Sequence, residues 1–274
     1  MTTLETGTDD LLVRTEGRVA VLTFNRPEAR NALTPSMYDG FGTVLPAVAA
    51  DPDIGALMLT GAGGAFCAGG DVKAMASRRA PGSSGGPTIE DRVDDLRRRQ
   101  EMVSLALHEF PKPVVGAIPG PAAGAGLSIA LACDVRIMAD AAFLTTAFAK
   151  VGFSGDFGGS WFLSQLVGTA TARELYFTAR RIPAEEALAL GITNRVAPAV
   201  SFEADALAFA AELAAGPPIA HRLMKENLNR ALHHELKECL AAEAVAMTRA
   251  GQTEDHREAA KAFVEKREPE FTGR

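Results

Sequence analysis

From its N-terminal end the chain sets short apolar runs between longer amphipathic stretches. "LLVRTE" and "RVAVLTF" flank Gly17 and predict a β-hairpin. In "TPSMYDGFGTVLPAVAAD", Thr34 stands where an N-cap belongs and Pro35 at the first helical position, so a helix is expected. "IGALMLTG", "PVVGAI" and "DVRIMAD" are β-like runs separated by helical patterns. Strands and helices alternating at this spacing predict βαβ units and a mostly parallel sheet. From Pro183 onward the pattern is helical: "PAEEALALG" opens on proline and stops on glycine, and four more amphipathic segments follow. "ASRRAPGSSGGPT" (Ala76–Thr88) has linker composition and is expected to be a mobile surface loop. The expected division is an α/β core over residues 1–200 and a helical region over 201–274.

Composition narrows the classes. Of 274 residues 47% are apolar and 23% charged, enough for a sizeable core without metals or disulfides. The net charge of −6 and the scattered Lys and Arg argue against nucleic acid as a partner. Cys67, Cys133 and Cys239 are far apart and odd in number, which suits a reducing compartment. No Cys/His spacing resembles a metal site. The polar start "MTTLETGTDD" does not read as a signal peptide, and no apolar run reaches spanning length, so a cytoplasmic location is expected. His221, His233, His234 and His256 sit among charged residues and read as solvated surface, while Tyr38 and Tyr176 read as packing.

Two glycine-rich stretches, "GAGGAFCAGGDVKAM" (Gly61–Met75) and "IPGPAAGAGLSIALACD" (Ile118–Asp134), fall where strands run into helices. Helix starts offer free N–H groups, so both are candidate anion sites; tight packing of helix on strand is the plain alternative. Neither carries a Rossmann or P-loop spacing. Downstream, "VGFSGDFGGSW" places one carboxylate, Asp156, among glycines and aromatic residues, with Phe148, Phe153, Phe157 and Trp161 as its sequence neighbours. Asp156 has two open roles. It caps the following helix with a depressed pKa, or apolar burial raises its pKa and makes it a base.

Five segments in order, "NRPEARNAL" (Asn25–Leu33), "AFCAGGDVKAM" (Ala65–Met75), "KPVVGAIPGPAAGAGLSIALACD" (Lys112–Asp134), "GDFGGSWFLSQLVG" (Gly155–Gly168) and "EAAKAFVEKREPEF" (Glu258–Phe271), make the chain resemble the crotonase, or enoyl-CoA hydratase/isomerase, superfamily. The resemblance implies a ClpP-like spiral of ββα units with a helical C-terminal trimerisation region, and trimers or dimers of trimers. It implies an acyl-CoA thioester substrate, with coenzyme A arriving as part of it and no other cofactor or metal. Two backbone N–H groups, here those of Gly70 and Ala125, would grip the thioester oxygen; many relatives have glycine where Ala125 stands. Arg26, Ala29, Ala68, Asp71, Val72, Lys73, Gly124 and Phe148 fall in the CoA- and substrate-binding segments. Phe263 and Lys266 match the C-terminal helix that reaches a neighbouring subunit's nucleotide. Without the family, Lys73 reads as an ordinary helix-surface lysine.

Hydratases of this superfamily use two glutamates, and the matching positions here hold Ser128 and Phe148, neither a proton acceptor. Asp156 matches the aspartate of the single-carboxylate isomerase branch. The expectation is therefore a double-bond isomerase moving unsaturation from β,γ to α,β, with Asp156 as acid and base. The same resemblance leaves open a hydratase with other acids, a thioester hydrolase or a non-catalytic acyl-CoA-binding protein. Aroyl-CoA dehalogenation is disfavoured, because Glu101 occupies the place of that branch's histidine. Glu101 remains a candidate second acid.

Overall fold

The computed structural model describes residues 5–71 and 86–274. Strands β1 (Leu11–Glu16) and β2 (Val19–Phe24) form the expected antiparallel hairpin, with Leu11 opposite Phe24 and Glu16 opposite Val19. Strand β3 (Ala56–Gly61) adds to β2 in parallel. Strands β4 (Val114–Ile118), β6 (Val135–Ala139) and β9 (Arg195–Ala197) extend the sheet in parallel to give the order β1-β2-β3-β4-β6-β9. All five residues of β4 are buried, and β2 and β3 are nearly so, as expected of strands covered on both faces. A second sheet is built from very short strands, β5 (Ala122–Ala123), β7 (Phe143–Thr145) and β8 (Ile182–Pro183). Its two- and three-residue strands carry no readable alternation, so the sequence does not announce them.

Helix α1 (Pro35–Ala50) starts as the sequence predicts: Thr34 accepts the Met37 N–H at 3.3 Å and Pro35 fills the first turn. Met37, Phe41, Val44, Leu45 and Val48 form its buried stripe. Helix α2 (Ile89–Gln100) is capped by a reciprocal Thr88–Asp91 pair. It runs into a π turn, Glu101–Leu105, and a last turn ending at His108. Of the stretch expected to be a mobile loop, residues 76–85 lie outside the described residues, and Thr88 belongs to this cap. Helix α3 (Ala125–Leu131) is buried along its whole length, and α4 (Gly159–Thr178) bends at Gly168.

After the short helix α5 (Ala184–Ala189), α6 (Phe202–Ala214) lays Phe202, Ala206, Phe209, Ala210 and Ala214 into the main core against the sheet. The helices that stand clear of the sheet therefore begin at Pro218: α7 (Pro218–Ala231), α8 (Leu236–Ala250) and α9 (Glu254–Glu265). Between them they bury few side chains and leave Leu228, Leu236, Met247, Phe263 and Val264 exposed. Helix α7 is pinned to the core by Lys225, whose Nζ donates to Asp134 Oδ2 at 2.9 Å and to the Leu107 carbonyl at 3.1 Å. No helix among the described residues is long and apolar enough to cross a membrane.

Candidate active site

Three loops that are remote in sequence are knitted by backbone bonds beside the strand ends. Asn31 is fully buried and donates its amide to the carbonyls of Ala62 (2.9 Å) and Ala65 (2.8 Å), while its own carbonyl takes the Arg26 N–H. Leu33 N donates to Gly69 O at 2.8 Å and Ala68 N to Arg30 O at 2.9 Å. The second junction is joined in the same way, with Ala123 N donating to Cys67 O at 2.9 Å. Small residues make this approach feasible. A Cβ on Gly69 would lie 2.7 Å from Ala123 O and 3.0 Å from Ala125 N, and one on Gly126 only 2.3 Å from Cys67 O. Gly124 adopts φ 54°, ψ −128°, a conformation that needs glycine, and turns the chain into α3.

The consequence is that Gly70 and Ala125 are brought to one place. No hydrogen bond among the described residues takes up either N–H, and Ala125 is the first residue of its helix, where the donor has no intrahelical partner. Backbone N–H groups without intramolecular partners are the kind of donor an oxyanion hole requires. Ala68 and Asp71 lie on the same loop and Ala29 closes the 3-10 turn Pro27–Ala29 opposite it. The Arg26 guanidinium donates to Ala32 O at 2.9 Å and lies 3.7 Å from both Glu28 and Asp71, so it ties two of the loops together. Val72 and Lys73 lie outside the described residues.

Asp156 sits in a segment of unusual backbone: Gly155, Phe157 and Gly158 have φ of 111°, 51° and 74°. Phe157 in this region is strained for a bulky side chain. Its N–H is held by Gln100 Oε1 at 2.8 Å, and its ring stacks on Tyr38 at 5.8 Å between centroids. The capping role is overturned. The N-cap of α4 is Gly158, with no side-chain cap, and Asp156 contributes only its carbonyl, which accepts Gly159 N at 3.1 Å. Its Oδ1 is buried without a partner among the described residues. Burial alone raises the carboxyl from 3.8 to about 6. The phenols of Tyr38 and Tyr176 are raised as well, both mainly by burial: Tyr176, to about 12, with the Asp156 carboxylate adding to it, and Tyr38 against the lowering effect of Arg99, with Cys67 and then Asp156 adding smaller upward pushes. Both tyrosines, expected as plain packing, thus share the environment of Asp156.

This segment folds over the start of α3. A Cβ on Gly159 would meet Ser128 Oγ at 2.2 Å and Tyr176 Oη at 2.7 Å, and Ser128 lies one turn beyond Ala125. Ser128 is buried and donates to Gly124 O at 3.3 Å. Phe148 stacks on Tyr176 and comes within 3.7 Å of the space beside Gly124, so the aromatic ring does reach the site. Other expectations need correction. Phe153 is exposed, and Phe157 and Trp161 line a cavity together with Gln100, Ser104 and His108. Glu101 is exposed and borders that cavity too; its neighbour Gln100 is the residue that reaches the aspartate loop. His221 is half-buried, its pKa lowered by burial, and His233 stacks on Trp161. Phe263 is exposed on α9 and Lys266 closes that helix, so within one chain neither is joined to the loops. No group of three or more potential metal ligands occurs among the described residues.

The family model for enoyl-CoA hydratase/isomerase matches residues 14–274. A probable enoyl-CoA hydratase of Rhodobacter capsulatus is 39% identical, over 93% of this chain and 95% of its own. A 1,2-epoxyphenylacetyl-CoA isomerase of Escherichia coli is 35% identical, over 96% and 98%. The crystal structure of an enoyl-CoA hydratase from a Polaromonas species superposes with a TM-score of 0.88 at 34% identity, covering 95% of this chain and 99% of that one. The fold is thus that of the crotonase superfamily, and most of the similar proteins bear hydratase names.

Proposed function

The chain belongs to the enoyl-CoA hydratase/isomerase family, and within that family we propose that it is a double-bond isomerase converting β,γ-enoyl-CoA to α,β-enoyl-CoA. One observation carries the reading: Asp156 Oδ1 is buried, without a partner among the described residues and not engaged in capping, and burial raises the carboxyl to about 6. A carboxylate so placed is a stronger base than one in water, and at neutral pH it is mostly ionised. The two positions where a hydratase of this family would place its acids hold Ser128 and Phe148. The segment 72–85 contains neither Asp nor Glu.

The mechanism follows. The thioester oxygen accepts hydrogen bonds from the N–H groups of Gly70 and Ala125. Asp156 removes a proton from the α-carbon, and the electron pair spreads over the dienolate from oxygen to the γ-carbon. The protonated Asp156 returns the same proton to the γ-carbon, leaving the double bond between the α- and β-carbons. Nothing is gained or lost overall. Removing one oxyanion-hole donor costs about 2.7–4 kcal/mol elsewhere, and a positioned acid/base contributes roughly 10²–10⁴-fold.

Arg26, Ala29, Ala68, Asp71, Val72, Lys73, Gly124 and Phe148 are assigned to binding the substrate and its coenzyme A, and no metal or further cofactor takes part. Phe263 and Lys266 act from a second copy of the chain, a role supported by the exposed apolar faces of α7, α8 and α9. The hydratase names of similar proteins favour a second reading, addition of water to the α,β-enoyl thioester. Incubation with each substrate followed by product mass separates the two. The isomerase leaves the mass of the β,γ substrate unchanged while producing the conjugated enoyl thioester. Reaction of the α,β substrate alone, with the gain of one water, overturns the proposal.

A further inference from the structure

The peptide unit that joins Asp156 to Phe157 is held at both ends. Its carbonyl accepts the Gly159 N–H at 3.1 Å, and its N–H donates to Gln100 Oε1 at 2.8 Å. The second bond comes from the last residue of α2, 57 positions away. The peptide unit is planar, so fixing it fixes the backbone beside the Asp156 side chain and the direction in which the carboxylate leaves the chain. On the other flank Gly155 has φ 111° and lies against Tyr176, where a Cβ would come 2.9 Å from the ring.

Phe157 itself adopts φ 51°, and strain of that kind persists only where the surroundings over-determine it. Gln100 supplies one constraint and its neighbour Arg99 the other. The Arg99 guanidinium, paired with Asp95 at 2.6 Å, lies 4.9 Å from the centre of the Tyr38 ring. That ring in turn stacks on Phe157 at 5.8 Å, with 12° between the planes. Consecutive residues of α2 thus hold Phe157 by its backbone and, through Tyr38, by its side chain.

We infer that Gln100 is a positioning residue for Asp156, holding the next peptide in its strained form so that the carboxylate does not fold back onto its own backbone amides. The inference rests on reading Asp156 as the base and goes beyond it in naming what keeps that base in place. An aspartate side chain ordinarily accepts the N–H two residues on. Here that is Gly158, whose N–H has no partner among the described residues. Released from Gln100, Phe157 leaves the left-handed region and the carboxylate turns to the amides of its own loop. Hydrogen bonds to the ionised form make it a weaker base, and the turn takes it away from the substrate. The ionisable groups packed around it are Tyr38 on α1, Tyr176 on α4 and, beside Tyr38, Cys67 and Arg99. Burial raises both phenols and the thiol, so all three stay neutral where the carboxyl titrates, and a guanidinium keeps its charge.

Gln100→Met keeps the length of the side chain and removes the acceptor, whereas Gln100→Glu keeps the acceptor and adds a charge. Carbon-13 NMR of protein labelled at its aspartate carboxyls follows Asp156 without turnover, its signal assigned by its loss in Asp156→Asn. In Gln100→Met that signal titrates about one pH unit lower than in the parent. In Gln100→Glu it titrates higher, because a second carboxylate beside it disfavours the charge. With a β,γ-enoyl-CoA, Gln100→Met loses on the order of 10- to 100-fold in kcat while KM stays within about twofold, and the acidic limb of its pH profile moves down with the NMR titration. Gln100→Glu regains most of that kcat at pH 8. A Gln100→Met protein whose Asp156 titrates with the parent's overturns the inference whatever its kcat, since the loss is then one of general stability. A shifted titration with the parent's kcat overturns it as well. If Gln100→Met does not fold, Gln100→Glu decides, and an Asp156 titration there equal to the parent's overturns the inference. If the titrations move as expected but the parent isomerises no β,γ substrate, the isomerase reading fails and this one stands. If the parent isomerises and neither variant moves the titration, this one fails alone.

Discussion

Asp156 touches the helix beginning at Gly159 through its backbone alone: its carbonyl accepts the Gly159 N–H at 3.1 Å while its Oδ1 is buried and free of any partner among the described residues. A carboxylate directly before a helix commonly caps it, but Asp156 stands three positions ahead of Gly159. Here Gly158 occupies the cap in a left-handed conformation and releases the side chain. The arrangement costs stability, since an unpaired buried acid is disfavoured in its ionised form.

That cost fixes a pH dependence. The folded-state pKa of about 6 lies above the ordinary 3.8, so between these values the folded state binds more protons than the unfolded one. Stability therefore falls as pH rises through this window, and Asp156→Asn is more stable than the parent at pH 7 by about 1–3 kcal/mol, measured by urea unfolding. Activity runs the other way. The base works ionised, so kcat/KM falls tenfold per pH unit below about pH 6.

Gly69 tests the union of the two oxyanion loops. Gly69→Ala forces a Cβ against Ala123 O and Ala125 N at a φ of 84°. The expected result is a loss of about 1–3 kcal/mol in stability and a kcat reduced by on the order of 10²-fold, as the two amides separate. A kcat equal to that of the parent contradicts the shared site.

Gly159 tests the contact between the aspartate segment and α3. Gly159→Ala places a methyl 2.2 Å from Ser128 Oγ, a clash costing about 1–3 kcal/mol. Ser128→Ala removes that oxygen, so the double variant recovers part of the loss. A double-mutant cycle on unfolding free energies reads the coupling, and strict additivity is the contrary outcome.

Lys225 and Asp134 test the anchoring of α7. Burial, outweighing their mutual attraction, lowers the lysine pKa and raises that of the aspartate. Such a pair adds little net stability, yet leaving one partner alone is expensive. Lys225→Met should cost about 3 kcal/mol, with part regained in Lys225→Met/Asp134→Asn, because an asparagine carbonyl can still accept the Val114 N–H that Asp134 now holds at 2.7 Å.

What the sequence discloses is what depends on neighbours in the chain. The hairpin about Gly17 and the Thr34–Pro35 start of α1 are read correctly because turn and cap chemistry act over two to four residues. The motif segments also single out Gly70, Ala125 and Asp156 as candidates. The freedom of the Asp156 carboxylate is not legible, because it depends on Gly158 taking the cap and on Gln100, 57 positions away, holding Phe157 N. Tyr38 and Tyr176 are hidden for the same reason. Their hydroxyls acquire meaning from burial beside segments remote in sequence.

The central claim is that one poorly hydrated carboxylate moves the proton, and replacing it without changing its shape is the most direct test. With a β,γ-enoyl-CoA substrate, Asp156→Asn should lose about 10²–10⁴-fold in kcat while its calorimetric affinity for a saturated acyl-CoA stays within about twofold of the parent's. An Asp156→Asn protein that isomerises at the parent's rate contradicts the account.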